Sequence, residues 1–444
     1  VGSEMCIRDS NLGCKVNAYE TEAMQQILEN AGYEIVPFTE IADVYVINTC
    51  SVTNMADRKS RQMFHRAKKM NPDAIVVGAG CYVQTKEAQA LVDESIDIVI
   101  GNNQKHELVT LLNEYEKEHT KQAQIVDINH EKQEYEELHL KKTAEHTRAF
   151  IKVQDGCNQF CTYCIIPKLR GPYRSVPMEE LIAEAKTMAE QGVKELVLVA
   201  QETTIYGIDL YGKPSLHLLL KELCKIQELY WIRILYCYPE DIYPELVQTM
   251  KEELKVCHYL DLPIQHANDE ILRRMGRRTS KQELIDKIDF LRSEMPDITL
   301  RTTLITGFPG ETKEQHKELL EFINDMEFDR LGVFTYSPEE GTPAAAMEHQ
   351  IDEEVKLDRQ AELMELQQDI SAELGERRIG QELLVMIEGK VADEDAYVGR
   401  SQADAPGVDG YVFVNTPETL VSGDFVRVKI TGALEYDLIG EISQ

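Results

Sequence analysis

Three of the chain's ten cysteines crowd into one short segment, DGCNQFCTYCIIP, as Cys157, Cys161 and Cys164. Gly156, Pro167 and the polar neighbours mark this C-x3-C-x2-C run as a loop rather than buried core. Three thiolates on one loop can hold three irons of a 4Fe–4S cluster and leave the fourth iron open. A structural zinc site would close with a fourth Cys or His at suitable spacing, and none follows. The chain is long, lacks a dense cysteine framework and shows no charged-then-apolar secretory opening. Disulfides are therefore disfavoured, and a reducing cytoplasmic setting with metal-binding thiols is expected.

A second trio is dispersed: Cys14 in NLGCKVN, Cys50 in VYVINTCSVTN and Cys81 in IVVGAGCYVQ. The last two each end a β-branched apolar run that reads as a buried parallel strand. Ligands gather at the carboxyl ends of such strands, so three loops at one sheet edge can converge three thiolates on a second cluster. Spacing alone leaves the alternative of three unrelated cysteines equally open. Cys6, Cys224, Cys237 and Cys257 lie in or near apolar segments and read as packing residues.

The chain divides into segments. Residues 1–10 read as a leader foreign to the fold. Residues 11–115 alternate helical patterns with short strands and imply a small α/β domain. Residues 116–148 are highly charged without apolar period, as in a linker or covering arm. From 149 to 375 a strand–helix unit recurs six times (FIKVQ, ELVLVA, WIRILY, YLDLPI, TLRTTLITG, RLGVFTY), implying a partial (β/α)6 barrel with its reacting groups at the C-terminal rim. Gln201 and Glu202, Tyr236 to Pro239, Gln265 and His266, and Gly307 to Glu311 cluster after those strands. Residues 380–444 read as short strands between turns, a small antiparallel β-barrel. No stretch approaches the ~18 uninterrupted apolar residues of a membrane span.

The metal loop after the first strand of a (β/α)6 pattern resembles the radical S-adenosylmethionine superfamily, in which the aromatic before the third cysteine, here Tyr163, packs near the adenine. The order of parts (three-cysteine α/β domain, radical core, TRAM-like barrel) is similar over nearly the whole chain to the methylthiotransferases. The resemblance assigns Cys14, Cys50 and Cys81 to an auxiliary 4Fe–4S cluster, and Cys157, Cys161 and Cys164 to the radical cluster. It also places Gln201, Gln265 and the LITGFPGE loop with Gly307 and Pro309 near the amino-acid and ribose parts of S-adenosylmethionine. The glycine-rich loop has a plainer reading as a tight turn, and the two glutamines as rim amides. Residues 11 to about 165 resemble the MtaB-type enzymes that modify threonylcarbamoyladenosine in tRNA. Residues from about 166 onward (LVAQETTIYGIDLYG, LPIQHANDEILRRMGRR, FDRLGVFTYSPEEGTPAA) resemble the RimO-type enzymes, which methylthiolate an aspartate β-carbon in a small-subunit ribosomal protein. This division implies a hybrid joined at CTYCIIP, and the polar VGSEMCIRDS stands where the family has an apolar strand before LGC.

The resemblance implies a deoxyadenosyl radical that takes hydrogen from an unactivated carbon, and a methylthio group delivered from the auxiliary cluster. A reductant such as flavodoxin or ferredoxin is implied as a partner. Charge bears on the substrate. The chain carries 47 Lys and Arg against 78 Asp and Glu, a net of −31, which disfavours a general nucleic-acid binder. Residues 380–444 hold four basic residues against twelve acidic, a net of −8. An acidic barrel suits a basic ribosomal protein better than tRNA. The local exception is Arg58, Lys59, Arg61, Arg66, Lys68 and Lys69, a run that suits tRNA or a solvated helix face. The cluster Arg273, Arg274, Arg277 and Arg278 suits a carboxylate or, equally, solvent. A non-catalytic iron–sulfur protein, or an inactive hybrid, is the alternative of a different class.

Overall fold

The computed structural model describes residues 4–7, 14–50, 54–129, 135–136, 138, 140–141, 143, 146–392 and 394–443. The N-terminal unit is a six-stranded parallel sheet, ordered Glu34–Val36, Glu4–Ile7, Val44–Thr49, Ile75–Gly80, Ile98–Ile100 and Gln122–Gln124. Its central strands are apolar on both faces because helices cover both. Side chains alternate along a strand, so Val44 and Val46 pack under the helices Lys15–Asn30 and Leu108–Glu118, through Met24, Leu28 and Leu112. Tyr45 and Ile47 point the other way, onto Met63, Phe64 and Ala67 of the helix Asn54–Met70.

Two boundaries differ from those expected. Glu4–Ile7, assigned to a foreign leader, forms a strand paired in parallel with both Glu34–Val36 and Val44–Thr49. Open strand edges on either side of that gap can be satisfied by main-chain hydrogen bonds from any extended tetrapeptide, whatever its side chains. The side chain of Cys6 lies outside the described residues. The sheet also runs past residue 115: the helix Leu108–Glu118 crosses that limit, and Gln122–Gln124 pairs with Ile98–Ile100. Leu138 and Leu140 in the charged segment are buried, so this part of the chain covers the core.

All six expected core strands form: Arg148–Lys152, Glu195–Val199, Trp231–Ile234, Tyr259–Gln265, Thr299–Thr306 and Arg330–Thr335. They pair in parallel as two three-stranded ladders. Between the third and fourth strands the ladders splay, joined by Ile232 N–H to Lys255 O (2.7 Å), Cys257 N–H to Ile232 O (2.9 Å) and Cys237 N–H to Asp261 O (2.8 Å). Helices cover the outside, two of them begun by capping boxes at Ser280/Glu283 and Thr312/Gln315. Cys237 and Cys257 are buried packing residues, as expected, and Cys224 is half-buried against the main core. Among the described residues no helix is long and apolar enough to cross a membrane.

The last segment closes into a barrel, ordered Glu382–Lys390, Ala396–Arg400, Val412–Asn415, Leu438–Ile442 and Phe425–Ala433. It is not wholly antiparallel: Val412–Asn415 and Leu438–Ile442 run in parallel. A closed ring with an odd number of strands cannot alternate at every step, so one pair must agree in direction. The barrel docks on the core through buried ion pairs. Arg400 Nη2 meets Glu195 Oε2 at 2.5 Å, and Arg233 Nε meets Glu195 Oε1 at 2.8 Å. Arg330 pairs with Asp404 at 2.6 Å, and the Tyr259 hydroxyl donates to Asp409 at 2.6 Å.

Glu195 holds this seam. Burial would raise its carboxyl, but Arg400 and Arg233 hold it down at about 2. Because the folded value is depressed, its contribution is complete above the ordinary value of 4.5 and is lost as pH falls from there through about 2. Glu195→Gln leaves two buried guanidiniums without their shared counter-charge, and about 3–5 kcal/mol of stability should be lost at pH 7. The shift in urea midpoint measures it, and the variant's midpoint should fall less steeply than the wild type's across that acid window.

Candidate functional site

At the C-terminal rim of the core strands lies a cavity of about 450 Å³. Its wall combines Cys157, Cys161 and Cys164 with Cys14 from the N-terminal unit and Val408 from the barrel. Gly156 starts the cysteine loop at φ 79°, and a Cβ there would lie 2.1 Å from Pro172 O. Only glycine fits this entry. The loop is then pinned by main-chain bonds: Cys157 N–H to Gly171 O (3.0 Å), Thr162 N–H to Met275 O (2.9 Å) and Ala344 N–H to Thr162 O (2.9 Å). Tyr238 Oη lies 3.4 Å from Cys161 Sγ. Burial, then the neighbouring Cys161, pushes the Cys164 thiol up to about 12, and burial raises Cys157 likewise. Thiols so placed stay protonated until a metal displaces the proton.

The dispersed trio does sit at one sheet edge. Cys14 caps the helix Lys15–Asn30, Cys50 follows the strand Val44–Thr49, and Cys81 opens the helix Cys81–Thr85 directly after Ile75–Gly80. Polar bonds stitch these ends together. Thr49 Oγ1 donates to Ala79 O (2.5 Å) and accepts from Tyr82 N–H (3.1 Å), while Asn17 Nδ2 donates to Thr49 O (2.9 Å). Cys14 lies within electrostatic reach of Cys81 and Arg170. Cys14 lines the cavity, whereas Cys50 and Cys81 are buried and do not reach its wall. Among the described residues no three Cys, His, Asp or Glu side chains meet closely enough to hold a single ion.

Of the residues expected near a cofactor, Tyr163, Gln201 and Gln265 line the cavity. Both polar atoms of the Gln201 amide, and Oε1 of Gln265, are buried without a partner. Gln265 also takes the strained φ of 70°. Unspent amides aimed into a cavity fit a polar ligand such as the amino-acid part of S-adenosylmethionine. Gly307 and Pro309 stand outside the cavity wall. The Gly307 and Phe308 N–H groups are spent on Glu311 Oε2 (2.8 and 3.3 Å), and Arg359 holds Glu311 in turn (2.9 Å). His266 is a buried core histidine, lowered to about 3 by burial. Within the arginine cluster only Arg277 lines the cavity; it forms a bidentate pair with Glu240 (2.9 and 2.8 Å) and stacks over Tyr238 at 4.0 Å.

Sequence reasoning passed over several residues of this site. Asp261 and Arg301 face the cavity from two adjacent strands, 3.6 Å apart, and burial raises Asp261 to about 6. Behind the cysteines, Glu20, Lys105, Lys152, Asp155 and Arg170 form a buried ion cluster. The available signal was a charge inside an apolar strand: Lys152 in AFIKV, Asp261 in YLDLP and Arg301 in TLRTT each interrupt a buried run.

Residues 151–323 match the Radical SAM superfamily, residues 7–101 the uncharacterized protein family UPF0004, and residues 379–442 the TRAM domain. The ribosomal protein uS12 methylthiotransferase RimO of Lachnoclostridium phytofermentans is 47% identical, over 97% of this chain and 98% of that protein. RimO of Clostridioides difficile is 43% identical over 97% of each. Both alignments span the two halves on either side of CTYCIIP. Among solved structures, the radical S-adenosylmethionine methyltransferase TsrM from Kitasatospora setae, with cobalamin and a 4Fe-4S cluster bound, gives a TM-score of 0.55 at 14% identity. That match covers 86% of this chain and 76% of TsrM, and it speaks for the fold alone. S-adenosylmethionine and an iron–sulfur cluster are thus this chain's cofactors. The chain belongs to the RimO family of radical S-adenosylmethionine methylthiotransferases.

Proposed function

We propose that this enzyme transfers a methylthio group to the β-carbon of an aspartate in ribosomal protein uS12, using two 4Fe–4S clusters. Cys157, Cys161 and Cys164 hold one cluster beside S-adenosylmethionine, and Cys14, Cys50 and Cys81 hold the other. The observation that carries this reading is that Cys14 and the Cys157–Cys164 loop border the same cavity. When bound, the cluster and S-adenosylmethionine supply the radical that removes hydrogen from the substrate carbon. The chain's own residues place and enclose the reactants. Tyr163 packs at the adenine, and the unspent amides of Gln201 and Gln265 take polar groups of the cofactor. Gly307 and Pro309 shape the rim turn that Glu311 fastens. A flavodoxin or ferredoxin supplies electrons.

The acidic barrel favours a basic protein as substrate. The basic helix Asn54–Met70, with Arg58, Lys59, Arg61, Arg66 and Lys69 exposed, favours the second reading, a tRNA bearing threonylcarbamoyladenosine. Anaerobic reconstitution with each substrate separates the two. A methylthio mass gain on uS12 but not on tRNA is expected, and the reverse outcome transfers the assignment to tRNA.

Reconstituted protein should hold about eight irons per chain, as two four-iron clusters require. Cys161→Ala should lower this to about four and abolish deoxyadenosine formation. Cys50→Ala should also fall to about four irons, keep deoxyadenosine formation and lose methylthio transfer. Iron content by colorimetry and product chromatography read both variants, and about four irons in the wild type would refute the second cluster.

A further inference from the structure

We propose that Arg170, on the short helix Ile166–Arg170 that leaves the Cys157–Cys164 loop, is a positioning residue for the other cysteine trio, acting with Asn102 as a hydrogen-bond donor to the Cys81 sulfur and raising the reduction potential of the cluster held there. The inference rests on the reading that Cys81 is a cluster ligand. Arg170 Nη2 lies 3.8 Å from Cys81 Sγ, 2.9 Å from Asn17 Oδ1 and 3.0 Å from Glu20 Oε2. Its two hydrogens thus have three acceptors within reach, the thiol among them. Nη1 is directed to Glu20 and to Asp155 Oδ1 (3.3 Å). Asn102 Nδ2 lies 3.6 Å from the same sulfur, and 2.9 Å from Leu169 O on the Arg170 helix. Ile165 and Leu169 pack against Cys81. One continuous stretch from Cys164 to Arg170 therefore grips a residue of the opposite domain.

Charge gives this contact its direction. The ion-paired group has two carboxylates, Glu20 and Asp155, facing four cations, Lys105, Lys152, Arg170 and Arg174. Glu136 and Glu184 stand behind it, bonded to His106 and to Tyr19. With Glu136 and Glu184 counted, four carboxylates stand with four cations, so the cluster as a whole is balanced. Of these cations Arg170 is the member that reaches the Cys81 sulfur. A thiolate-ligated cluster gains negative charge on reduction. Donors at its sulfurs and nearby cations stabilise that form, which raises the potential.

The test is a potentiometric titration of the full-length, fully loaded enzyme, with both clusters followed by electron paramagnetic resonance. Arg170→Lys keeps a positive charge for Glu20 and Asp155 but loses the forked reach to sulfur. Asn102→Ala removes the second donor and leaves Lys105 its 3.1 Å pair with Glu20. In Arg170→Lys the ratio of reduced to oxidised auxiliary cluster at a fixed potential should fall about tenfold, equivalent to ~59 mV for one electron. Asn102→Ala should shift the same cluster in the same direction by less. The radical cluster's midpoint should stay in place in both. An unchanged auxiliary midpoint in both variants, or an equal shift of the two clusters, overturns the proposal; if Arg170→Lys does not load iron, Asn102→Ala decides it alone. Loss of the two-cluster reading shows separately, as about four irons in the unmodified enzyme.

Discussion

The buried carboxylate of Glu20 is the point on which the catalytic end of the molecule is assembled. Burial opposes its charge, yet Arg170, Lys105 and Lys152 hold it well below the usual carboxylate range. Each partner comes from a different part of the chain. Glu20 lies in the second turn of the helix that Cys14 caps, Lys105 follows the fifth strand of the sheet, and Lys152 ends the first core strand. Arg170 closes the helix beyond the radical loop. Such clusters recover little net stability once desolvation is counted, but removing one partner leaves an uncompensated buried charge and is costly. Here the cluster ties the helix that Cys14 caps to the helix that follows the Cys157–Cys164 loop.

The same logic recurs at the other seam. Glu195 on the second core strand binds Arg233 of the third and Arg400 of the barrel, and Arg330 and Tyr259 take Asp404 and Asp409 of the barrel's long loop. Aromatic packing supports it, with Phe425 stacked on Tyr230 at 4.8 Å and edge-on to Trp231 at 4.9 Å. The core thus presents buried charges to both of its neighbours, and an apolar body within. An apolar interface tolerates sliding; paired charges at fixed positions do not.

Local pattern revealed most of the architecture. Apolar strand runs, helical periods and turn residues are properties of short windows, so all six core strands and all five barrel strands were legible. Legibility ended where backbone pairing acts without side-chain preference, as at Glu4–Ile7, and where closure imposes a parity that no single strand encodes, as in the barrel. The cysteine loop was plain because its three thiols are neighbours in sequence. The dispersed trio needed the resemblance, since its members are brought to one edge only by the pairing of a sheet. The ion cluster was hidden for the opposite reason: Glu20 in an amphipathic helix looks like any solvated glutamate until the second domain covers it. LITGFPGE stayed open for another reason, because a glycine-rich turn reads the same whether its amides face a ligand or, as at Gly307 and Phe308, its own Glu311.

The barrel's loop between Ala396–Arg400 and Val412–Asn415 carries Val408 into the cavity wall, with Gly407 beside Lys15 of the first helix. A terminal module is commonly pictured as a handle, joined to a finished reaction chamber and free to be exchanged. In this molecule the chamber is finished only when the handle is in place. Exchanging the barrel would therefore alter the wall of the cavity as well as the surface that the barrel presents.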